Sequence, residues 1–326
     1  MIDFLKAHIF IGKDSVFFDY LDKKCEYSNG WVYYTLKGCK DIEVRYNAEI
    51  GWLEIKGSIM YFAQGHNFTY DEALFVSTID YIGKMLKVDL WDMTLDEVEF
   101  GIILKTTKPP KYYIKNHRPK KGLTQHEKKN NYLFRWWDDN KESLNLKMYD
   151  AGRNIQHKQG MTMKNIIKEA GWNPSDYFLK LEVHYKKPEK VLNRGCGIKM
   201  ADLLNPKWID AFSKDFIRQY NKLIPMKTIC KPKDKKELST IDIFARELVE
   251  SKINEGISIQ EVKKAIYERI NASALLSKAD KDARKRMVNT TLDKLEESES
   301  SEWDLKDMIQ EELKNTTDPL YCEQKT

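Results

Sequence analysis

Long apolar runs are missing from this 326-residue chain. No stretch approaches the roughly 20 consecutive apolar residues that span a bilayer, so no membrane segment is expected. The opening Met1-Ile2-Asp3-Phe4-Leu5-Lys6 has no basic leader and no extended apolar core, so no secretory signal is expected either. Cysteine is scarce. Cys25, Cys39, Cys196, Cys230 and Cys322 are odd in number and lack C-x-x-C spacing. That pattern argues against a disulfide framework or a zinc site and fits a reducing cytoplasm. Also absent are G-x-x-x-x-G-K-[ST], G-x-G-x-x-G, H-E-x-x-H and G-x-S-x-G strings, so the nucleotide, zincin and serine-hydrolase routes lack support. No internal repeat is present.

What the chain does contain is a globular composition, with 41% hydrophobic and 12% aromatic residues, enough for one large domain or two smaller ones. The net charge of +5 matters less than its distribution. Between Lys105 and Lys129 stand eight lysines and Arg118 against the single acid Glu127. Tyr112, Tyr113 and His117 are interleaved with them. Lys111, Lys115, Arg118, Lys120 and Lys121, with the two tyrosines, suit phosphate neutralisation plus base stacking; a solvated basic loop has the same composition.

The first third reads as strands over Ile2–Ile11, Trp31–Leu36, Ile42–Tyr46 and Ile50–Ile55, with a hairpin turn at Ser28-Asn29-Gly30. Residues Asp71–Val88 switch to helical period behind a capping box at Thr69-x-x-Glu72. Strands follow over Val98–Leu104, Leu133–Trp137, Leu144–Tyr149 and Phe178–Tyr185, with a short helix at Met161–Ala170. Helices are expected at Ala201–Leu223, Ile241–Asn254, Ser258–Ile270 and Leu275–Glu296, with a polar linker at Lys231–Lys236. The predicted organisation is a mixed α+β domain over 1–230 and a helical region over 231–326.

Three strands carry candidate chemistry. On a period-two strand Glu182 and His184 share a face, roughly 6.6–7 Å apart along the chain. A carboxylate and an imidazole so placed can share a cation with a ligand from a neighbouring strand, and Glu99, which interrupts another apolar strand, is the best candidate. The alternative is the wet face of an edge strand, with Lys180 and Lys186 in line. Tyr149 closes its strand with Lys147 two residues back on the same face, a cation able to tune a phenol. It is also one of 17 tyrosines, and strand-end tyrosines are commonly rim aromatics. The string Gln64-Gly65-His66-Asn67 ends a short turn just before a helix. There His66 can reach a site, or simply cap a carbonyl.

These pieces in this order resemble a family. Met1-Ile2-Asp3, Glu54-Ile55-Lys56 leading to Gln64-Gly65-His66-Asn67, Leu144–Tyr149 and Leu179–His184 look like the gene II-type replication initiator of filamentous bacteriophages, over roughly residues 1–195. Members are rolling-circle replication endonucleases, related to the class with a His-hydrophobic-His metal motif. The resemblance implies an antiparallel-sheet endonuclease-like domain that nicks and rejoins one DNA strand at a phage or plasmid origin through a phosphotyrosine. It places Tyr149 on the nucleophile, Glu182 on the acidic residue of the second strand and Glu99, where aspartate is usual, on an earlier one. Mg²⁺ or Mn²⁺, DNA, a host helicase and polymerase, and the host bacterial cytoplasm are the implied cofactor, partners and compartment. A non-catalytic DNA-binding regulator of the same fold and a plasmid mobilisation relaxase are the alternatives.

Overall fold

Period-two alternation of apolar and polar residues dominates the first half of the chain, and it builds one sheet. A computed structural model describes residues 1–12, 18–37, 39, 41–119, 123–127, 133–138, 141–153, 165, 167–168, 171–173, 175–191, 196–226, 239–255, 257–296 and 304–317. The expected helix at Met161–Ala170 falls largely outside these residues, as do the linker at 231–236 and Lys120 and Lys121.

The strands are β1 (Ile2–Phe10), β2 (Leu21–Glu26), β3 (Trp31–Leu36), β4 (Ile42–Asn47), β5 (Trp52–Gly57), β6 (Thr94–Thr106), β7 (His117–Pro119), β8 (Leu123–Glu127), β9 (Leu133–Asp138), β10 (Lys141–Asp150), β11 (Tyr177–Lys186) and β12 (Leu223–Pro225). Ten of them form one antiparallel sheet in the order β2-β3-β4-β5-β1-β6-β11-β10-β9-β8. Together with the helices that follow, this makes the chain α+β. The strand β2 was not expected, because its charged Asp-Lys-Lys-Cys-Glu run reads as loop; as the edge strand it is largely exposed, where charge discourages further pairing. The β2–β3 turn places Gly30 at φ +80°, a left-handed conformation that suits glycine.

Two compact units partition the chain. The first holds Met1–Lys115, Pro119–Leu223 and Leu305–Thr326, and the second Asn116–Arg118 and Ile224–Asp304. The division therefore differs from a single cut at 230, since the last described helix, Lys306–Thr317, belongs with the sheet. Its buried Ile309 and Leu313 explain why, as does the buried Leu305 just before it, whose N–H donates to the Tyr220 hydroxyl at 2.8 Å.

One face of the central strands is apolar. Phe100 of β6 and Tyr185 of β11 pack against Phe212 and Phe216 of the helix Pro206–Tyr220. That helix starts at Pro206 rather than Ala201, because Asn205 caps it by accepting from the Lys207 N–H at 3.0 Å. Likewise the helix Glu72–Leu86 is capped by Asp71, not Thr69: the Asp71 carboxylate accepts from Leu74 N–H at 2.9 Å.

The second unit contains the helices Thr240–Asn254, Ile259–Ala272 and Lys278–Glu296, which close around Val249, Ile259, Val262, Leu292 and Leu295. The expected capping box of Ser258 and Glu261 is present. Among the described residues no helix is long and apolar enough to cross a membrane.

Candidate active site on the central strands

Strand order creates the site. The three strands β6, β11 and β10 lie side by side, so residues distant in sequence become cross-strand neighbours. Across β11, Glu182 stands opposite Gly101 of β6 and Lys147 of β10, His184 opposite Glu99 and Asn145, and Lys180 opposite Ile103 and Tyr149. Flanked on both sides, β11 is not an edge strand, and its middle polar positions are not wet: Lys180 is 2% exposed and Glu182 4%, and of the charged positions only Lys186 at the strand's end is exposed. The wet-face alternative is overturned by this burial.

The Tyr149 hydroxyl donates to Glu182 Oε1. The Lys147 ammonium donates to Glu99 Oε1 and lies 3.7 Å from Glu182 Oε2. His184 bridges two acids, with Nδ1 2.8 Å from Glu99 Oε1 and Nε2 2.9 Å from Glu97 Oε2. Below Tyr149, Lys180 Nζ lies 2.5 Å from Asp3 Oδ2, 3.3 Å from Glu182 Oε1 and 3.4 Å from the Asn67 carbonyl, to which it donates. Tyr149, Lys147, Glu99, Glu182 and His184 are therefore brought together.

Three members of the cluster escaped sequence reasoning: Asp3, Glu97 and Lys180. Asp3 enters through a β-bulge. Ile2 pairs with Phe100 and Phe4 with Glu99, so two steps along β1 match one along β6 and Asp3 is the extra residue. Gly101 makes the room. A Cβ there would lie 2.8 Å from both Asp3 Oδ2 and Glu182 Cγ. The signal that could have found Lys180 and Glu97 was period two itself, since each sits two residues from a candidate ligand on the same strand face.

Burial and charge together set the protonation states. One lysine, Lys180, cannot neutralise two buried carboxylates, and Glu182 has more help. Burial alone would raise Glu182, but Lys180, Lys147 and the Tyr149 hydroxyl outweigh it and hold the carboxyl at about 2. Asp3 takes the other outcome: burial, with Glu182 beside it, pushes it up to about 7 despite Lys180. Burial opposes the charged form of Lys180, yet Asp3 and Glu182 keep it above its ordinary value. Burial likewise opposes protonation of His184, but Glu97 and Glu99 reverse the sign and raise it. The bond from His184 is the main cause of a lowered Glu97.

Burial raises the Tyr149 phenol well above its ordinary value, and the charges on Glu182 and Asp3 add to this. Lys147, expected to counter this, is directed at Glu99 instead. The phenol is thus protonated at neutral pH with its proton aimed at a carboxylate.

His66 is buried and its Nδ1 accepts from the Phe68 N–H at 3.3 Å, while Gln64 Nε2 donates to the carbonyls of His66 and Thr69 at 3.1 and 3.0 Å. The Gln-Gly-His-Asn string is therefore a braced turn, and it reaches the cluster through the Asn67 carbonyl. In the basic stretch, Lys111, Tyr112 and Lys115 are exposed on the turn of helix Pro110–Lys115, with the Lys111 ammonium 5.2 Å from the centre of the Tyr112 ring. Tyr113 is a correction. It is 4% exposed with its hydroxyl 3.2 Å from that of Thr107, and so belongs to the core rather than to a stacking surface. Arg118 lies in the second unit, exposed, donating to the Asn254 carbonyl at 2.8 Å.

The donor chemistry suits a hard cation: Glu99 and Glu182, from adjacent strands, already share the Lys147 ammonium. Among the described residues no group of three or more His, Cys, Asp or Glu side chains surrounds a common point. These described residues therefore do not prearrange a complete metal cage, and His184 spends both ring nitrogens on carboxylates.

No protein-family model matches the sequence, and no curated protein matches it. Among solved structures the chain is similar to a rolling circle replication initiator protein from Geobacillus stearothermophilus, at 9% identity and a TM-score of 0.37, over 77% of this chain and 96% of that one.

Proposed function

We propose that this protein nicks and rejoins one DNA strand to start rolling-circle replication of a phage or plasmid, with Tyr149 as nucleophile. One observation carries the reading: the Tyr149 hydroxyl is held on Glu182 beside Glu99, Lys147 and His184, on one shielded face of the sheet. The sequence resemblance to gene II-type initiators puts the same tyrosine and the same two acids in these roles.

In this reading the Tyr149 oxygen attacks the scissile phosphorus. The bond from phosphorus to the 3′ oxygen breaks as the phenol loses its proton and the departing oxygen gains one, leaving a 5′-phosphotyrosine and a free 3′-hydroxyl, with Glu182 holding the phenol in place. Because the ester keeps the bond energy, the reverse step rejoins the ends. Mg²⁺ or Mn²⁺ held by Glu99 and Glu182, with His184 beside them, would supply positive charge to the phosphate oxygens. Asp3, Lys180 and the Asn67 carbonyl fix Glu182 against the phenol. Lys111, Lys115 and the exposed Tyr112 suit an approaching backbone and an unpaired base.

Tyr149→Phe incubated with supercoiled DNA carrying the cognate origin tests this. Expected is loss of nicking and of the covalent protein–DNA adduct with DNA binding retained; nicking at the parent rate sinks the assignment. The phenol's raised pKa keeps a non-catalytic DNA-binding regulator in contention. Such a protein would bind equally well in EDTA and never become attached to DNA.

A further inference from the structure

Glu99 on β6 and Glu182 on β11 are bridged by a side chain from a third strand. Lys147 of β10 contacts Glu99 Oε1 and lies 3.7 Å from Glu182 Oε2. All three side chains are shielded, at 14%, 5% and 12% exposure for Glu99, Glu182 and Lys147. Glu182 Oε1 meets the Tyr149 hydroxyl and Lys180, while Oε2 faces Lys147 across from Glu99. Register holds this arrangement: Lys147 stands opposite Glu182, which stands opposite Gly101, and glycine adds no side chain to that row.

We propose that Lys147 is a tethered counter-ion occupying the position of a divalent cation, and that metal binds here by displacing it. The inference rests on the reading of the site as a metal-assisted nicking centre. Two shielded carboxylates need positive charge, and the ammonium supplies it from a flexible four-carbon stem without coordination bonds. A cation such as Mg²⁺ bonds carboxylate oxygen at about 2.0–2.1 Å, so it and the ammonium cannot both occupy the space between the two carboxylates. Being intramolecular, Lys147 competes at high effective concentration and weakens the apparent metal affinity of the DNA-free protein. Its removal leaves the pair with only Lys180 on Glu182 and His184 on Glu99, a deficit of positive charge that a divalent ion relieves.

Mn²⁺ titration of the full chain without DNA, with free ion read by electron paramagnetic resonance, tests the exchange. Lys147→Met is expected to bind one Mn²⁺ roughly tenfold tighter than the parent, because the tethered competitor is gone. Lys147→Arg is expected to bind no tighter than the parent, and Glu99→Gln added to Lys147→Met should erase the gain. Equal or weaker affinity in Lys147→Met, or no binding in either protein, overturns the proposal. Should Lys147→Met fail to fold, the parent decides. Its Lys147 ammonium resonance, identified by its loss in Lys147→Arg, should leave its hydrogen-bonded position as Mg²⁺ is added; an unmoved resonance at saturation overturns the exchange. Lost nicking in Tyr149→Phe with unaltered Mn²⁺ affinity in Lys147→Met would remove this inference alone. Tighter Mn²⁺ binding in Lys147→Met with intact nicking in Tyr149→Phe would remove the nicking reading alone.

Discussion

Replacing Asp3 by asparagine should flatten the pH dependence of the first unit's stability between about pH 4 and 7. The Asp3 carboxyl titrates near 3.8 when unperturbed and at about 7 in the fold, where burial disfavours its charge and Lys180 is shared with Glu182. The folded state therefore binds more proton than the unfolded one throughout that window. Stability must fall as pH rises through it, with the penalty complete above about 7. About three pKa units at 1.36 kcal/mol each sets a ceiling near 4 kcal/mol; a loss of roughly 2–4 kcal/mol is expected. Other groups do not mimic this difference. His184, raised in the fold, contributes stability that is present below 6.5 and lost as pH climbs through its folded value, in parent and variant alike. Glu97, lowered, adds stability above 4.5 that is lost as pH falls, again in both proteins, while Glu182, held at about 2 despite burial by Lys180, Lys147 and in part its bond from Asp3, titrates below the window in the fold. Asparagine keeps the side-chain size that Gly101 accommodates and can still accept from Lys180. The assay is urea unfolding followed by tryptophan fluorescence and far-ultraviolet dichroism across the window. Parallel profiles for parent and Asp3→Asn would refute the assignment of a buried, proton-sharing acid.

Gly101→Ala should lower stability by about 1–3 kcal/mol, because the new methyl would lie 2.8 Å from Asp3 Oδ2 and Glu182 Cγ and 2.9 Å from the Leu181 carbonyl. An unchanged melting temperature would mean that the bulge yields freely. Lys180→Met should cost about 3–5 kcal/mol at neutral pH by stranding two buried carboxylates, and Asp3→Asn added to it should recover part of that loss; strict additivity in the double-mutant cycle would contradict the contact at 2.5 Å. Tyr112→Ala should weaken single-stranded DNA binding by about 1–3 kcal/mol while leaving the melt unchanged. Tyr113→Ala should instead destabilise the fold by about 3–5 kcal/mol. Fluorescence-anisotropy titrations and thermal melts run on both variants would expose a reversal of these roles.

Local pattern alone determined a good deal about this protein. Alternation placed Lys147 with Tyr149, and Glu182 with His184, on shared strand faces, because side-chain direction in a strand depends only on the backbone's own period. The strands around Trp31, Ile42, Leu144 and Phe178 were legible for the same reason, as was the Ser258 cap, which is satisfied within one turn. The edge strand β2 was hidden because its charged sequence carries no apolar alternation. The return of helix Lys306–Thr317 to the first unit was hidden because its partners, such as Tyr220, are distant in sequence.

The cluster around Tyr149 is divided in the same way. Its residue types were visible in the sequence, but their protonation and partners were not. Lys180 has the same chemistry on a wet edge as in a core; only the order β6-β11-β10, which encloses β11 on both sides, buries it. Asp3 needed a bulge in β1 and a missing Cβ at Gly101, two features on different strands. Lys147 was expected to ease ionisation of the phenol, yet the tertiary fold set Glu99 within its reach and left the phenol facing carboxylates. Composition and period determined which groups share a strand face. Which charge each group meets, and how much water it keeps, depended on the neighbouring strands, because Coulomb and desolvation energies act through space rather than along the chain.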